Sequence, residues 1–172
     1  SLLKPERCIK WAGASEFPED SQKILKEMVE IGAGIIYANT VARAILYHQW
    51  FKKHHPNIRI ILYHSRFTEV DKKEIEKRLL DHLGKEVWEK TTDAPKAIAI
   101  PTQIGEMSVN ISTPIMLTDL CPWDRLAQRI GRLNRFGENQ IGTAYVVEPL
   151  KKGETYVAPY GELIKRKWIP SK

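Results

Sequence analysis

Short apolar runs alternate with amphipathic segments along most of this chain, and the alternation constrains the fold more than any other feature. A short, continuous apolar run suits a strand that is buried on both faces, and such strands form parallel sheets covered by helices. The pattern therefore predicts an α/β domain with a mostly parallel sheet of five or six strands, flanked by helices. The predicted strands cover residues 34–38, 58–62, 96–100, 115–117 and 143–147.

Helices are predicted between these strands. Thr68, with Asp71 three residues later, has the arrangement of a capping box and predicts a helix that continues to Leu83. Proline is tolerated in the first turn of a helix, so Pro122 predicts another helix start. Residues 84–95 are expected to form a loop. Two further helices are predicted over about residues 20–31 and 39–53.

The two ends of the chain are less regular than its middle. We expect residues 1–20 to be a peripheral segment, residues 21–150 to be the α/β lobe, and residues 151–172 to be a basic extension. The extension has six lysines and arginines against two glutamates, and a solvated tail is its simplest interpretation. The start at Ser1 is abrupt and has no signal-peptide pattern, which predicts a segment of a longer, cytoplasmic protein.

Composition and charge exclude several classes of protein. No apolar run approaches the roughly 18–20 residues that a membrane span needs, so no membrane partner is expected. The two cysteines, Cys8 and Cys121, are far apart in sequence and predict free thiols in place of a disulfide or a metal site. The net charge of +6 favours anionic partners, nucleic acid above all.

One segment of eight residues predicts a functional site. Residues 128–135 read Gln-Arg-Ile-Gly-Arg-Leu-Asn-Arg. On a helix that continues through this octet, Gln128, Arg132 and Arg135 share one face. Two guanidinium groups and an amide held together suit the phosphates of a nucleotide, because the planar guanidinium fork matches phosphate oxygens. The alternative is a solvated basic face. The opposite, core-facing side of this helix would carry Leu126, Ile130 and Leu133.

The octet resembles motif VI of the superfamily 2 helicases. The resemblance implies a RecA-like lobe, the second of two, which reaches across a cleft to ATP held by the first. It also implies that Arg132 and Arg135 are arginine fingers, the catalytic residues of this lobe, and that Gln128 and Arg129 contact ATP. The sequence contains neither a Gly-x-x-x-x-Gly-Lys-Ser/Thr loop nor an Asp-Glu-x-His box, so this chain alone is expected not to hydrolyse ATP.

Three other segments resemble helicase motifs of the same lobe, in the order that the family has. Residues 35–40 resemble motif IV, residues 62–67 resemble motif IVa, and residues 102–110 resemble motif V. Polar residues that follow parallel strands are expected at the carboxyl edge of the sheet, where ligands of open α/β folds bind. Helix capping is the simpler alternative for the first segment, and a structural histidine for the second. The predicted nucleic-acid contacts are Asn39, Thr40, His64, Ser65, Arg66, Thr102 and Gln103.

Motif V departs from the family where it is expected to face the nucleotide. The family usually ends this motif in Ser-Leu-Asp, and this chain has Ser108-Val109-Asn110. Asn110 is still expected to contact ATP, since its amide can hydrogen-bond a ribose hydroxyl, although it carries no charge. Pro101, where the family often has alanine, is a second departure.

Within the superfamily, the chain resembles the CRISPR-associated helicase of type I interference over about residues 30–148. The resemblance lies in Thr-Gln-x-x-Glu-x-Ser, in His-Ser-Arg-Phe, and in the Pro-Trp-Asp-Arg-Leu-Ala that leads into the octet. It implies a single-stranded-DNA translocase that uses ATP and Mg²⁺, both held mainly by the first lobe, and that acts with an HD-type nuclease and a guide-RNA surveillance complex. A non-catalytic module that binds nucleic acid or docks a partner protein is the alternative.

Overall fold

Six parallel strands form the central sheet of the computed structural model, which describes residues 6–89, 95–102 and 109–171. The strands are β1 (Glu6–Ala14), β2 (Gly34–Tyr37), β3 (Ile60–Tyr63), β4 (Ile98–Pro101), β5 (Ile115–Asp119) and β6 (Ile141–Glu148). Their order in the sheet is β1-β6-β5-β2-β4-β3, and each pairing among them is parallel. The predicted α/β class, with a mostly parallel sheet, is therefore confirmed.

All five strands predicted from apolar runs are present, with shifted ends. The strand expected to start at residue 58 begins at Ile60, because Ile58 N–H donates to His55 O (3.1 Å) in the turn that follows the preceding helix. The strand expected to end at Leu117 continues to Asp119, where it remains buried. Apolar runs thus locate the strands, whereas local hydrogen bonds set their ends.

Six α-helices cover the two faces of the sheet in the described part of the chain. They are α1 (Gln22–Ile31), α2 (Val41–His54), α3 (Glu69–Leu83), α4 (Lys85–Glu89), α5 (Trp123–Ile130) and α6 (Tyr160–Lys165). Leu25 of α1 and Tyr47 of α2 belong to one apolar cluster with Ile36 of β2. Leu79 of α3 belongs to a second cluster with Ile35, so α3 lies on the opposite face. Within the described residues, no helix is long and apolar enough to cross a membrane.

Two helix starts follow the sequence signals. Thr40 Oγ1 accepts a hydrogen bond from Arg43 N–H (3.2 Å) at the start of α2, and Thr68 Oγ1 accepts one from Asp71 N–H (3.1 Å) at the start of α3. The loop expected over residues 84–95 is wrong in part, because α4 occupies the first half of it. Residues 90–94 lie outside the described chain.

β1 is a strand that the sequence analysis missed, since residues 1–20 were expected to be irregular. It forms one edge of the sheet and pairs with β6 from Glu6↔Ile141 to Ala14↔Glu148. Ala12 is the one buried residue of this strand, so it contains no apolar run that could signal it. Backbone pairing with β6 holds it in place.

The C-terminal extension folds back onto the lobe. A short antiparallel hairpin, β7 (Lys151–Lys152) and β8 (Thr155–Tyr156), leads into α6. Ile169 is buried in an apolar cluster with Leu126 of α5. The extension is therefore anchored to the lobe through its apolar residues, which corrects the interpretation as a solvated tail, while its charged side chains remain exposed.

Candidate functional site

Those predicted nucleic-acid residues that the structure describes follow three neighbouring strands and lie along one edge of the sheet, which we call the carboxyl edge. The ends of β2 and β4 are joined by a hydrogen bond from Ala38 N–H to Pro101 O (3.1 Å). The ends of β4 and β3 are joined by one from Thr102 N–H to Tyr63 O (3.0 Å). The segments that begin at residues 39, 64 and 102 are therefore neighbours. Gln103 lies outside the described residues.

These residues differ in how open they are to solvent. Thr40, Ser65 and Arg66 are exposed, so their hydroxyl and guanidinium groups can reach an external phosphate. Thr102 is buried between the ends of two strands. The exposed residues of the set therefore provide most of the polar groups that a ligand at this edge could contact.

His64 has a structural environment. Its ring stacks on Phe67, with ring centroids 4.3 Å apart, and its Nδ1 accepts a hydrogen bond from Arg66 N–H (3.1 Å). Burial, and to a lesser degree the charge of Arg66, lowers the pKa of His64 below its ordinary value. A neutral ring with an unprotonated Nδ1 fits this hydrogen bond, which fixes the backbone that carries Arg66.

Arg129, predicted to contact ATP, is fully buried with an exposed fraction of 0%. Its guanidinium donates through Nη1 to Thr118 Oγ1 (3.0 Å) and Asp119 O (3.1 Å), and through Nη2 to Asn39 Oδ1 (3.0 Å). The group also lies 5.1 Å from the ring centroid of Tyr37. These contacts tie α5 to the ends of β5 and β2, so the arrangement supports a structural role and offers no exposed atom to a nucleotide.

Asn39 is the hub of this interior network. Besides accepting from Arg129, its side chain donates through Nδ2 to Leu120 O (2.8 Å) and Tyr160 OH (3.3 Å). The amide is thus occupied on both sides. The capping alternative holds for Thr40, which caps α2, and not for Asn39. Its contacts connect β2, β5 and α6 at the carboxyl edge.

An ion pair that the sequence analysis missed completes the network. Arg43 of α2 donates through Nε and Nη2 to the two carboxylate oxygens of Asp119, both at 2.8 Å. Burial disfavours the charged guanidinium, but the hydrogen bond and the charge of Asp119 outweigh it, so the pKa of Arg43 lies above its ordinary value. The partners are 76 residues apart in sequence, and no local pattern signals the pair.

The helix predicted to carry the whole octet ends earlier, at Ile130. Gly131 follows as its C-cap, and Asn134 adopts a left-handed backbone with φ of 49°. Arg132 and Arg135 therefore do not share a helical face with Gln128, which is exposed near the end of α5. They lie instead in the segment 131–136, which we call the arginine turn.

β1 and the start of β5 hold the arginine turn in place. Arg7 Nε donates to Leu133 O (2.6 Å) and Arg7 Nη2 to Gly131 O (3.3 Å), so an arginine of the edge strand satisfies carbonyls beyond the end of α5. Asn134 N–H donates to Thr113 O (2.7 Å), just before β5 begins. The turn therefore lies at the opposite edge of the sheet, which we call the amino edge. The Arg7 contact spans 126 residues of sequence and has no local signal.

The arginine turn meets the end of the predicted motif V at the amino edge. Arg132 is only 7% exposed, and its Nε donates to Val109 O (3.1 Å). Arg135 is exposed, and its backbone N–H donates to Ser112 Oγ (2.8 Å). Asn110, between these two anchor points, is exposed as well. The structure thus brings both predicted fingers and Asn110 to one place, although not by the predicted helical spacing.

Comparison with known proteins identifies relatives of this chain. A family model described as the C-terminal part of the CRISPR-associated nuclease/helicase Cas3 matches residues 30–138. The chain is also 36% identical over 113 residues to the CRISPR-associated nuclease/helicase Cas3 of Streptococcus thermophilus. That match covers 65% of this chain and 12% of the relative, so the chain spans about one eighth of the relative's length.

Solved structures show the same fold. A crystal structure described as T. fusca Cas3-ATP is 25% identical with a TM-score of 0.70, over 94% of this chain and 20% of that one. A chain of the structure described as a CRISPR RNA-guided surveillance complex, pre-nicking, is 23% identical with a TM-score of 0.70, over 99% of this chain and 24% of that one. The second likeness is one of fold alone.

Proposed function

This chain belongs to the Cas3 family as its C-terminal, superfamily 2 helicase domain, and on that basis we propose that it is the second motor lobe of an ATP-dependent single-stranded-DNA translocase. In this proposal the lobe supplies Arg132 and Arg135 to ATP held by a first RecA-like lobe. It contacts the DNA backbone through its carboxyl edge. The complete protein acts in CRISPR interference.

One observation carries the nucleotide half of the proposal. The two arginines are anchored to the same short stretch, Arg132 through Val109 O and Arg135 through Ser112 Oγ, and Asn110 lies exposed between these anchors. A charged pair and an amide held on fixed backbone suit a ligand with phosphates and a ribose hydroxyl.

In this proposal the residues act by stabilising negative charge. Phosphoryl transfer spreads negative charge over the oxygens of the group in transit, and a positioned guanidinium stabilises that charge. Arg132 donates through Nε to Val109 O and through Nη1 to Gln128 O (3.4 Å), and these bonds orient its guanidinium. Arg135 is exposed and can reach across a cleft. Gln128 would contact the γ-phosphate or the attacking water. The triphosphate and its Mg²⁺ are assigned mainly to the first lobe.

The DNA half of the proposal rests on the carboxyl edge. Thr40, Ser65 and Arg66 present hydroxyl and guanidinium groups that bind phosphate without reading base identity. Thr40 also lies at the start of α2, where free N–H groups and the helix dipole favour an anion. Binding should therefore tolerate any sequence and weaken with salt.

The descriptions of related proteins suggest further partners of the complete protein. The relative from Streptococcus thermophilus is described as a nuclease as well as a helicase, and one similar fold comes from an RNA-guided surveillance complex. We propose an HD-type nuclease, as a domain or subunit, and a guide-RNA surveillance complex as partners of the complete protein.

The test is the rate of ATP hydrolysis by the complete protein with single-stranded DNA present. Replacing Arg135 with alanine, or Arg132 with lysine, should lower the rate by about 10³–10⁵, the value of an arginine finger in related phosphoryl-transfer systems. Lysine keeps the charge of Arg132 but loses its planar fork. The isolated chain, which lacks a phosphate-binding loop, should not hydrolyse ATP.

Arg78→Ala is the matched control, because Arg78 is an exposed arginine on α3 and lies outside both proposed contact regions. It should leave the rate unchanged. Turnover that survives both finger substitutions would rule out the motor proposal and favour a lobe that only binds nucleic acid.

A further inference from the structure

Two exposed tryptophans are joined through their backbones where the C-terminal extension meets α5. Trp123 is 55% exposed and Trp168 is 53% exposed. Trp123 N–H donates to Trp168 O (2.9 Å), so the two residues are neighbours although 45 positions separate them. Tryptophan rings dominate the energetics of cores and interfaces, and a pair left half exposed offers a large aromatic surface to a ligand.

The backbone that carries Trp168 is fixed. At the end of α6, Lys167 N–H donates to Ile164 O and Trp168 N–H to Leu163 O, both at 3.0 Å, which is the pattern of a Schellman motif. Lys167 occupies the left-handed position of this motif, with φ of 58°. The next residue, Ile169, is buried against α5. Trp168 is therefore held on both sides and is not part of a frayed end.

Three exposed cations lie on the side of this surface that carries Trp168. Lys165, Arg166 and Lys167 directly precede Trp168 and are all exposed. The guanidinium carbon of Arg166 lies 5.0 Å from the centroid of the Trp168 ring, and Arg166 also pairs with Glu162 (2.8 Å). Arg166 lies over one face of the ring, so a partner would stack on the other face and have a cation close to it, which suits a nucleotide with its phosphate.

The surface adjoins the carboxyl edge. α5 starts with Trp123, shortly after β5 ends at Asp119. Asn39, which precedes the proposed phosphate contact Thr40, hydrogen-bonds both Leu120 O and Tyr160 of α6. The two tryptophans thus continue the edge on which the proposed DNA contacts lie.

We propose that Trp123, Trp168 and the cations of residues 165–167 form a stacking platform for the bases of single-stranded DNA. Proteins that bind single strands without sequence preference combine a basic surface with aromatic rings on which bases stack, because every base has a π-face. The platform rests on the proposed function, since it extends the strand's path from the carboxyl edge across the C-terminal extension.

The charge favours a nucleic acid over a protein partner at this surface. Protein interfaces are depleted of lysine at their centres, where tryptophan is enriched. Here Lys165 and Lys167 flank the aromatic surface, together with Arg166. When a nucleic acid binds such a cluster, it releases condensed counterions, and this release favours binding.

The experiment compares two labelled strands of equal length, an oligothymidylate and an abasic strand, by fluorescence anisotropy with this chain. The wild type should bind the oligothymidylate more tightly. Trp168→Ala and Trp123→Ala should each weaken that binding by about tenfold, the lower range of what stacking of one base on an aromatic ring contributes. Trp168→Tyr should retain most of the affinity, and binding of the abasic strand should change little.

Phe17→Ala is the matched control. Phe17 is an exposed aromatic residue, 52% exposed, and lies beside α2 on the other face of the sheet. Removal of this ring should not change the affinity of the chain for either strand. Thermal unfolding of each variant checks that the fold persists. Quenching of the wild-type tryptophan fluorescence by the oligothymidylate, and not by the abasic strand, is a second measurement that needs no substitution.

Equal binding of the two strands by the wild type, or unchanged oligothymidylate affinity in the double alanine variant, overturns the platform. Neither result would contradict the proposed phosphate contacts, since the abasic strand keeps its phosphates. Arg66→Ala in the same assay tests those contacts separately, because it should weaken both strands alike.

Discussion

At the scale of single residues, three arginines of one octet have three different environments. Arg129 is fully buried, Arg132 is nearly so, and Arg135 is exposed. The sequence assigns all three to ATP, because neither helical spacing nor resemblance shows what lies opposite a side chain. Arg129 is held by Thr118 of β5, 11 residues away, and by Asn39 just after β2, 90 residues away. Its structural role could therefore not be predicted from the octet.

Replacing Arg129 with methionine should destabilise the lobe. The change leaves Asn39 Oδ1 without its donor from Arg129, whereas the carbonyl of Asp119 keeps the hydroxyl of Thr118. We expect the free energy of unfolding to fall by about 1–3 kcal/mol, the cost of a buried acceptor left unpaired. Urea unfolding measures this, with Arg125→Met on the same helix as the control. A loss no larger than that of the control would show that the network contributes little.

At the scale of elements, apolar runs and capping residues predicted what depends on neighbours in sequence. The strand at residues 34–38 and the helix start at Thr68 were recovered in this way. β1 was missed, because an edge strand that buries only Ala12 has no apolar run. The end of α5 at Ile130 was also missed, since Arg7 and the start of β5 determine the turn that follows. The candidate fingers were thus predicted as residues, while their geometry was not.

Gly142 of β6 lies close to the arginine turn, and a prediction follows from this contact. A Cβ at this position would lie 2.6 Å from Asn134 Cβ and 2.9 Å from Leu133 Cγ, so the turn would have to move. Gly142→Ala should destabilise the lobe by about 1–3 kcal/mol through overpacking. It should also slow ATP hydrolysis by the complete protein, since a displacement of about 1 Å can cost about 10²-fold.

Gly13→Ala is the matched control for this substitution, because Gly13 lies in β1 with no atom within 4 Å of an added Cβ. It should leave unfolding and hydrolysis unchanged. Normal hydrolysis by Gly142→Ala, despite a measured loss of stability, would show that the arginine turn does not need this position.

At the scale of the whole lobe, the two proposed functions occupy opposite edges of one sheet. The candidate DNA contacts lie at the carboxyl edge, and the candidate fingers lie at the amino edge. β5, with five residues, separates the two edges by about 15 Å. α5 starts at the first edge, with Trp123, and ends at the second, beside Gly131. One rigid helix, fixed to Asn39 through Arg129, therefore spans both regions.

This separation predicts that DNA binding and turnover can be disrupted independently in the complete protein. Arg66→Ala should weaken binding of single-stranded DNA and raise the DNA concentration needed for half-maximal stimulation, with the same rate at saturation. The slope of log affinity against log salt should fall by about 1, as expected for one lost phosphate contact. Arg135→Ala should do the reverse, with normal DNA binding and no turnover at any DNA concentration. The measurement is ATP hydrolysis titrated with DNA at several salt concentrations. If Arg66→Ala lowered the saturated rate while DNA affinity stayed normal, the assignment of the carboxyl edge to DNA would be wrong.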